Sequence, residues 1–282
     1  MYEEKGYLMG DFKVFYLEEM SPREVEYHYH RFDKLLVFLG GSIEYAIEGK
    51  GYSLLPGDVV LVPRGTSHKV TPIRREGGSA GYTRLVVYLS PRYLTSLPGE
   101  GDSLRTCFQR AEEQRHYVIR SRERGGGECA KLTAALKESV RAGGGDPFAG
   151  LYQSTLLLQL LILLNRTLRD GKVGYVDTSR CNEKIVSIVC YINEHLADHL
   201  SLDELAERFY LSKYHMMRQF KAETGYTIGE YVNQKRLLIA RELLKQGQPV
   251  TRAYLDSGFR EHSTFVRAYK KIFGEMPSRT RP

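Results

Sequence analysis

The chain reads as a two-domain α+β protein, with a β-barrel or sandwich first and an all-α domain after it. Three observations point there. The first ninety residues carry many short alternating apolar runs broken by turns. After Pro91 the apolar period becomes helical, and from Asn182 it stays helical to the end. The excess positive charge is confined to the last quarter of the chain.

In the first region, Phe12–Leu17, Leu35–Leu39, Ser42–Ile47, Val59–Val62 and Leu85–Leu89 read as strands. Glu48-Gly49-Lys50-Gly51 and Leu55-Pro56-Gly57-Asp58 supply turns. Closely spaced short strands with no helical pattern between them predict a sandwich or barrel. Beyond Pro91, Ala130–Arg141 and Phe148–Arg169 read as helices, set apart by Gly125-Gly126-Gly127 and Gly143-Gly144-Gly145. The second of these helices carries Leu151, Leu156–Leu158 and Leu160–Leu164 (Ile at 162) around most of its circumference. A helix apolar all round needs partners on more than one side, so a second copy of the chain is the expected partner. A larger core within one chain is the alternative. The polar stretch Asp170–Cys181 reads as a linker, dividing a domain of residues 1–169 from one of residues 182–282.

The chain has 282 residues, 42% hydrophobic and 27% charged, as ordinary soluble globular proteins do, with a formal net charge of +7. From Ser212 onward there are 14 Lys/Arg against 6 Asp/Glu, a net of +8, and everything earlier nets −1. That asymmetry suggests a polyanionic partner for the C-terminal domain. Cys107, Cys129, Cys181 and Cys190 form no CxxC pair or disulfide-like spacing, which fits a reducing compartment. The start Met1-Tyr2-Glu3-Glu4-Lys5 is too polar for a signal peptide, and the apolar run Leu156–Leu164 is too short for a bilayer. A cytoplasmic protein without a membrane partner is expected.

Caps organise the C-terminal domain. Ser201-Leu202-Asp203-Glu204 has the capping-box pattern and opens a helix Leu202–Phe209. A break at Tyr210-Leu211 follows, and Ser212 caps a helix Lys213–Thr224 that stops at Gly225. Thr227-Ile228-Gly229-Glu230 opens a helix of about twenty residues that ends near Gly247. Val250–Ser257, a turn at Gly258-Phe259, and a helix from His262 or Ser263 to Phe273 repeat the first outline. Two helix-turn-helix units on a rod of about 30 Å match the spacing of successive major grooves, about 34 Å. On the first unit Met216 and Phe220 point inward, while Tyr214, Met217, Arg218 and Lys221 share the opposite stripe. On the second, Phe265, Tyr269 and Phe273 take one face, and Ser263, Arg267 and Lys270, with Lys271 beside them, take another.

Residues from about Glu183 to Arg281 resemble the AraC/XylS family of transcription regulators. The resemblance rests on Ser201–Ala206, Leu211–Met216, Phe220-Lys221, Thr224-Gly225, Tyr231-Val232, Arg236-Leu237, Gly258-Phe259, Tyr269-Lys270-Lys271, Phe273-Gly274 and Pro277-Ser278. It implies that Tyr214, Met217 and Arg218 read bases in the first unit, and His262, Ser263, Thr264 and Arg267 in the second. The chain departs from the family pattern at Ala253-Tyr254, where a larger apolar residue followed by a small Ala is usual, and at Thr280, where Tyr is common. The resemblance also implies double-stranded DNA, a small-molecule effector, a homodimer and RNA polymerase as partners.

His28-Tyr29-His30, then Gly57-Asp58 and Pro63-Arg64-Gly65-Thr66-Ser67-His68, resemble the two signatures of the cupin barrel. Cupin enzymes hold a divalent metal with three histidines and a Glu; here Lys34 falls at about the Glu position, a cation where a hard metal needs an anionic oxygen. Three histidines can bind Zn by themselves, so the residues leave metal open. The reading adopted is a cavity without metal or other cofactor, in which His28, His30, Tyr27, Tyr29 and His68 bond and stack on a polar metabolite such as a sugar. Side chains that simply fill the barrel are the plain alternative. Two rival functions stay open on these residues: a metal-dependent cupin enzyme carrying a DNA-binding module, and an architectural DNA binder without a ligand.

Overall fold

The computed structural model describes residues 6–73, 81–96, 103–121, 127–142, 146–171, 173–176, 178 and 180–280. The separators Gly125-Gly126 and Gly143–Gly145 lie outside them. The chain forms two compact units that meet in sequence at Arg180 and Cys181.

In the N-terminal unit the strands are β1 Phe12–Glu19, β2 Val25–His28, β3 Asp33–Gly41, β4 Ile43–Ile47, β5 Lys50–Ser53, β6 Val59–Val62, β7 His68–Pro72 and β8 Tyr82–Leu89. Helices α1 Pro91–Ser96 and α2 Thr106–Gln114, strand β9 Val118–Ser121, helices α3 Glu128–Arg141 and α4 Ala149–Arg169, and strand β10 Val173–Tyr175 follow. One sheet runs β1-β8-β3-β6-β9-β10 and the other contains β5-β4-β7-β2 in that order, with antiparallel pairing throughout those strands.

The middle of the larger sheet is covered on both faces, which explains its unbroken apolar runs. Leu35–Phe38 on β3 and Val59–Val62 on β6 are all buried. Lys34, paired with Tyr88 and Val62, lies on the face toward the second sheet, where it meets Tyr45 and His68. Alternate residues such as Val37 and Leu39 face α3 instead. Asp33 anchors the helical layer: it takes two buried bonds from Arg105 (2.8 and 3.1 Å) and a partly buried one from the Arg64 amide (2.9 Å). Both charges are thereby paired and hydrogen-bonded, as burial requires.

The segment 170–181 is more than a linker. Val173–Tyr175 forms β10 and pairs with β9 in the register Val173–Ser121, Gly174–Arg120 and Tyr175–Ile119. Its small, polar composition concealed an edge strand, where burial on one side suffices.

The C-terminal unit is helical: α5 Glu183–Glu194, α6 Leu202–Arg208, α7 Lys213–Thr224, α8 Ile228–Lys245, α9 Val250–Asp256 and α10 His262–Phe273. Side-chain caps set several of the starts. The Ser201 hydroxyl accepts from the amides of Asp203 and Glu204, and Ser212 accepts from His215. The reciprocal capping box forms at Thr227 and Glu230. At Ser201 only the serine half of the expected box is present. Gly225 and Gly274 end α7 and α10 in the left-handed conformation.

Candidate nucleic-acid interface and effector site

Helices α6 and α7, joined through Phe209–Leu211, make the first helix-turn-helix unit; α9 and α10 make the second; α8 connects them. Met216 and Phe220 are fully buried, as is Leu205 of α6, and the Phe220 ring meets Tyr231 of α8 edge-on at 5.6 Å. On the outside of α7, Tyr214 is 76% exposed and Met217 39%, with Arg218 and Lys221 exposed beside them. The Arg218 guanidinium lies 5.9 Å from the Tyr214 ring. Tyr210, in the turn, is 90% exposed and takes φ of +53°, unusual for a non-glycine residue. Helical spacing assigns no face to a turn residue, so in the sequence Tyr210 marks only the break between two helices.

In α10, the rings of Phe265, Tyr269 and Phe273 pack in tilted pairs at 5.4 and 4.4 Å, in one core with α8 residues Leu237, Ala240 and Leu244. His262, Ser263, Thr264, Arg267, Lys270 and Lys271 are all exposed. The departure at Ala253-Tyr254 is accommodated by position. Ala253 takes the buried site, while the Tyr254 ring lies along the flank, stacked on Phe265 at 5.9 Å and edge-on to His262 at 5.4 Å. Thr280 is buried, accepting from the Tyr269 hydroxyl (2.8 Å) and donating to Glu275 (3.1 Å).

The N-terminal unit brings three of the five expected ligand residues together. His28 of β2 stands opposite His68 of β7, and His30 follows two residues after His28. The ring centroids lie 4.3 Å (28–68), 5.0 Å (28–30) and 4.9 Å (30–68) apart, all three buried. Phe32 stacks on His30 at 4.8 Å, and Tyr88 closes on both. Tyr27 turns away: its ring faces the Lys69 ammonium at 5.2 Å. Tyr29 is buried. Odd residues of a strand face opposite to even ones, so Tyr27 cannot join the face of His28 and His30.

His28 Nδ1 lies 2.8 Å from the Glu26 carbonyl and His68 Nδ1 3.0 Å from that of Thr66. A carbonyl only accepts, so both Nδ1 atoms carry a proton, and Nε2 of either ring accepts when that ring is neutral. Lys34 Nζ is buried 3.4 Å from His68 Nε2 and 3.2 Å from the Tyr45 hydroxyl. No carboxylate among the described residues pairs with it. Burial, then the charge of Arg84, lowers its pKa to about 7. Burial, then Lys34 and the other two histidines, holds His68 well below the usual imidazole value. Tyr45 entered through the fold: it shares the inward face of β4 with Ile43 and Ile47, which reads in sequence simply as core.

The histidine donor atoms lie within 4.8 Å of one another, and the bonded Nδ1 atoms orient two rings as metal ligands are oriented. The fourth group does not fit. What opposes a metal there is charge: the Lys34 amine, 3.4 Å from His68 Nε2, repels a dication whenever it is protonated, and no anionic oxygen in the set offsets it. The cluster is suited to hydrogen bonding by imidazoles and an amine.

Comparisons with known proteins agree with this architecture. The AraC-like ligand binding domain family matches residues 12–161, and the helix-turn-helix domain family matches residues 205–282. A two-domain DNA-binding transcription regulator is the class these features define. The chain belongs to the AraC family. It is 26% identical over 263 residues to the protein named "Probable transcriptional regulator LumQ" of Photobacterium leiognathi, covering 93% of this chain and 94% of that one. Over 99 residues it is 32% identical to the regulatory protein SoxS of Escherichia coli, covering 34% of this chain and 92% of SoxS. Among solved structures, an apo form of a ToxT point variant from Vibrio cholerae aligns over 98% of both chains at 13% identity and a TM-score of 0.40. No helix among the described residues is long and apolar enough to cross a membrane.

Proposed function

We propose that the chain is an effector-controlled regulator that binds DNA as a homodimer and is not an enzyme. The observation that carries the reading is the exposure, on α7 and α10 of one compact unit, of ten mostly polar, basic or aromatic side chains above two buried apolar faces. Tyr214, Met217 and Arg218 read bases for the first unit, with Lys221 beside them. His262, Ser263, Thr264 and Arg267 read for the second, and Lys270 and Lys271 hold phosphates. Arginine suits guanine edges, and lysine suits backbone phosphates.

His28, His30 and His68 offer neutral donors and acceptors to a metabolite with hydroxyl groups, such as a sugar, without a metal. Lys34 and Tyr45 complete that polar set. Dimer contacts use the outer stripe of α4, where Leu151 (69% exposed) and Ile162 (38%) lie on one face while Leu156, Leu157, Leu160, Leu161 and Leu164 fill the core. RNA polymerase is the further partner this reading implies.

The test is selection of bound duplexes from random DNA by the full chain. Two half-sites about one helical turn apart, bound less tightly as salt rises, are expected. Recovery of unrelated sequences would favour the architectural binder.

A further inference from the structure

Helix α8 carries a core at each end. Tyr231 joins the first helix-turn-helix unit through Phe220, and Leu237, Ala240 and Leu244 join the second through Phe265 and Tyr269. Such a rod sets a separation, but the roll of each unit depends on how tightly its own end is gripped. A third contact closes the junction between them. It involves the loop between α5 and α6, residues 195–201.

Arg236, midway along α8, donates from Nε to the Leu196 carbonyl and from Nη2 to the Asp198 carbonyl, each at 2.7 Å. Two charge-assisted bonds from one planar guanidinium fix the loop in direction as well as distance. The turn of the second unit presses on the same loop. At Gly258 a Cβ would stand 2.2 Å from the Leu196 carbonyl oxygen, 2.9 Å from Ala197 Cα and 2.9 Å from Arg236 Nε. Gly258 also has φ of +90°, so glycine is required twice over. Backbone of the loop that leads into the first unit, guanidinium of the connecting helix and turn of the second unit therefore share one contact. A groove of about 440 Å³ lined by His199, Asn233, Arg260 and Thr264 runs beside it, so side-chain packing does not fill this junction.

We propose that Arg236 and Gly258 form a spacing lock, positioning the second recognition helix relative to the first so that the chain accepts half-sites at one separation only. The proposal rests on α7 and α10 being the recognition helices. One inserted base pair displaces the second half-site by about 3.4 Å and turns it by about 35°. A locked pair cannot follow that movement, and an unlocked pair can.

The experiment uses the full chain and an operator selected by the wild type, compared with probes carrying one inserted or one deleted base pair and with each half-site alone. Wild type should lose about tenfold or more on insertion or deletion. Arg236→Ala should bind the native spacing more weakly, bind each half-site within about twofold of wild type, and show a spacing penalty of about twofold. Arg236→Lys, which keeps the charge but not the fork, should fall between, and it carries the same comparison if the alanine variant does not fold. A wild-type spacing penalty in both folded variants would overturn the lock. So would loss of half-site binding in proportion to the full site, which marks a merely structural residue. Absence of any sequence-selected operator would instead sink the DNA-reading assignment of α7 and α10.

Discussion

Lys34 Nζ and His68 Nε2 lie 3.4 Å apart inside the N-terminal barrel, one side chain from each sheet. The other nitrogen of His68 is committed to the Thr66 carbonyl. The imidazole can therefore accept from the amine only while it is neutral, and the protonation states of the two groups are coupled.

Stability should follow from that coupling. Burial lowers Lys34 from the ordinary 10.5 to about 7, so between about pH 7 and 10 the unfolded chain holds more protons than the folded one. Stability must rise with pH across this window, by about 3–5 kcal/mol from this group. The lowered pKa of His68 acts in the same sense at lower pH: its contribution is present above about 6.5 and is lost as the pH falls. Lys34→Met should raise the unfolding midpoint at pH 7 and flatten the rise from pH 7 to 10. Denaturant melts at several pH values measure this, and an unchanged slope would contradict the assignment.

Metal content gives a second check at the same place. Wild-type protein purified without a histidine tag should hold no stoichiometric zinc. Lys34→Glu replaces the amine with the anionic donor that His28, His30 and His68 lack, and should take up about one equivalent. One tightly held equivalent in the wild type would revive the metal-dependent enzyme.

Base reading should separate from phosphate binding. Arg218→Ala and Arg267→Ala should each cost about 1–3 kcal/mol at the selected operator and relax base preference locally. Lys270→Ala should weaken binding more evenly across sequences and shallow the salt dependence by about one counterion. Arginine variants with unaltered sequence preference would show that the exposed stripes of α7 and α10 do not enter the grooves as assigned.

Self-association is tested on α4. Leu151 and Ile162 are exposed and three turns apart on one stripe, so changing both to Glu leaves the core leucines in place. Light scattering should report a folded monomer at concentrations where wild type is a dimer. A variant that stays dimeric would move the interface elsewhere, and wild type that is monomeric would remove it.

The C-terminal domain was legible in sequence because its signals are local. Ser212 and Thr227 cap their helices through amides three residues on, and Gly225 ends α7 one residue after Thr224, so Lys213–Thr224 emerges with the bounds that spacing predicts. The 3.6-residue period separates Met216 and Phe220 from Tyr214 and Arg218 with no knowledge of what packs against them. The connecting helix is slightly shorter than expected, 18 residues, because Gln246 takes the cap position ahead of Gly247.

Contacts distant along the chain were decided by the tertiary structure alone. Strand β10 hides in a polar stretch because its warrant is the pairing with β9, some fifty residues earlier. The division of α4 into core leucines and an exposed stripe depends on where the sheet and α3 lie, which a run of leucines does not encode. The sequence determined that His28 and His30 share a face, and its resemblance to cupin signatures implied that Lys34 stands near the place of an acid. Only the pairing of β2 with β7, and the facing of two sheets, could bring His68 to them and set Lys34 and Tyr45 against it. Local hydrogen bonds and periodicity are written within a few residues, whereas a site built across two sheets exists only once long-range pairing has closed the barrel.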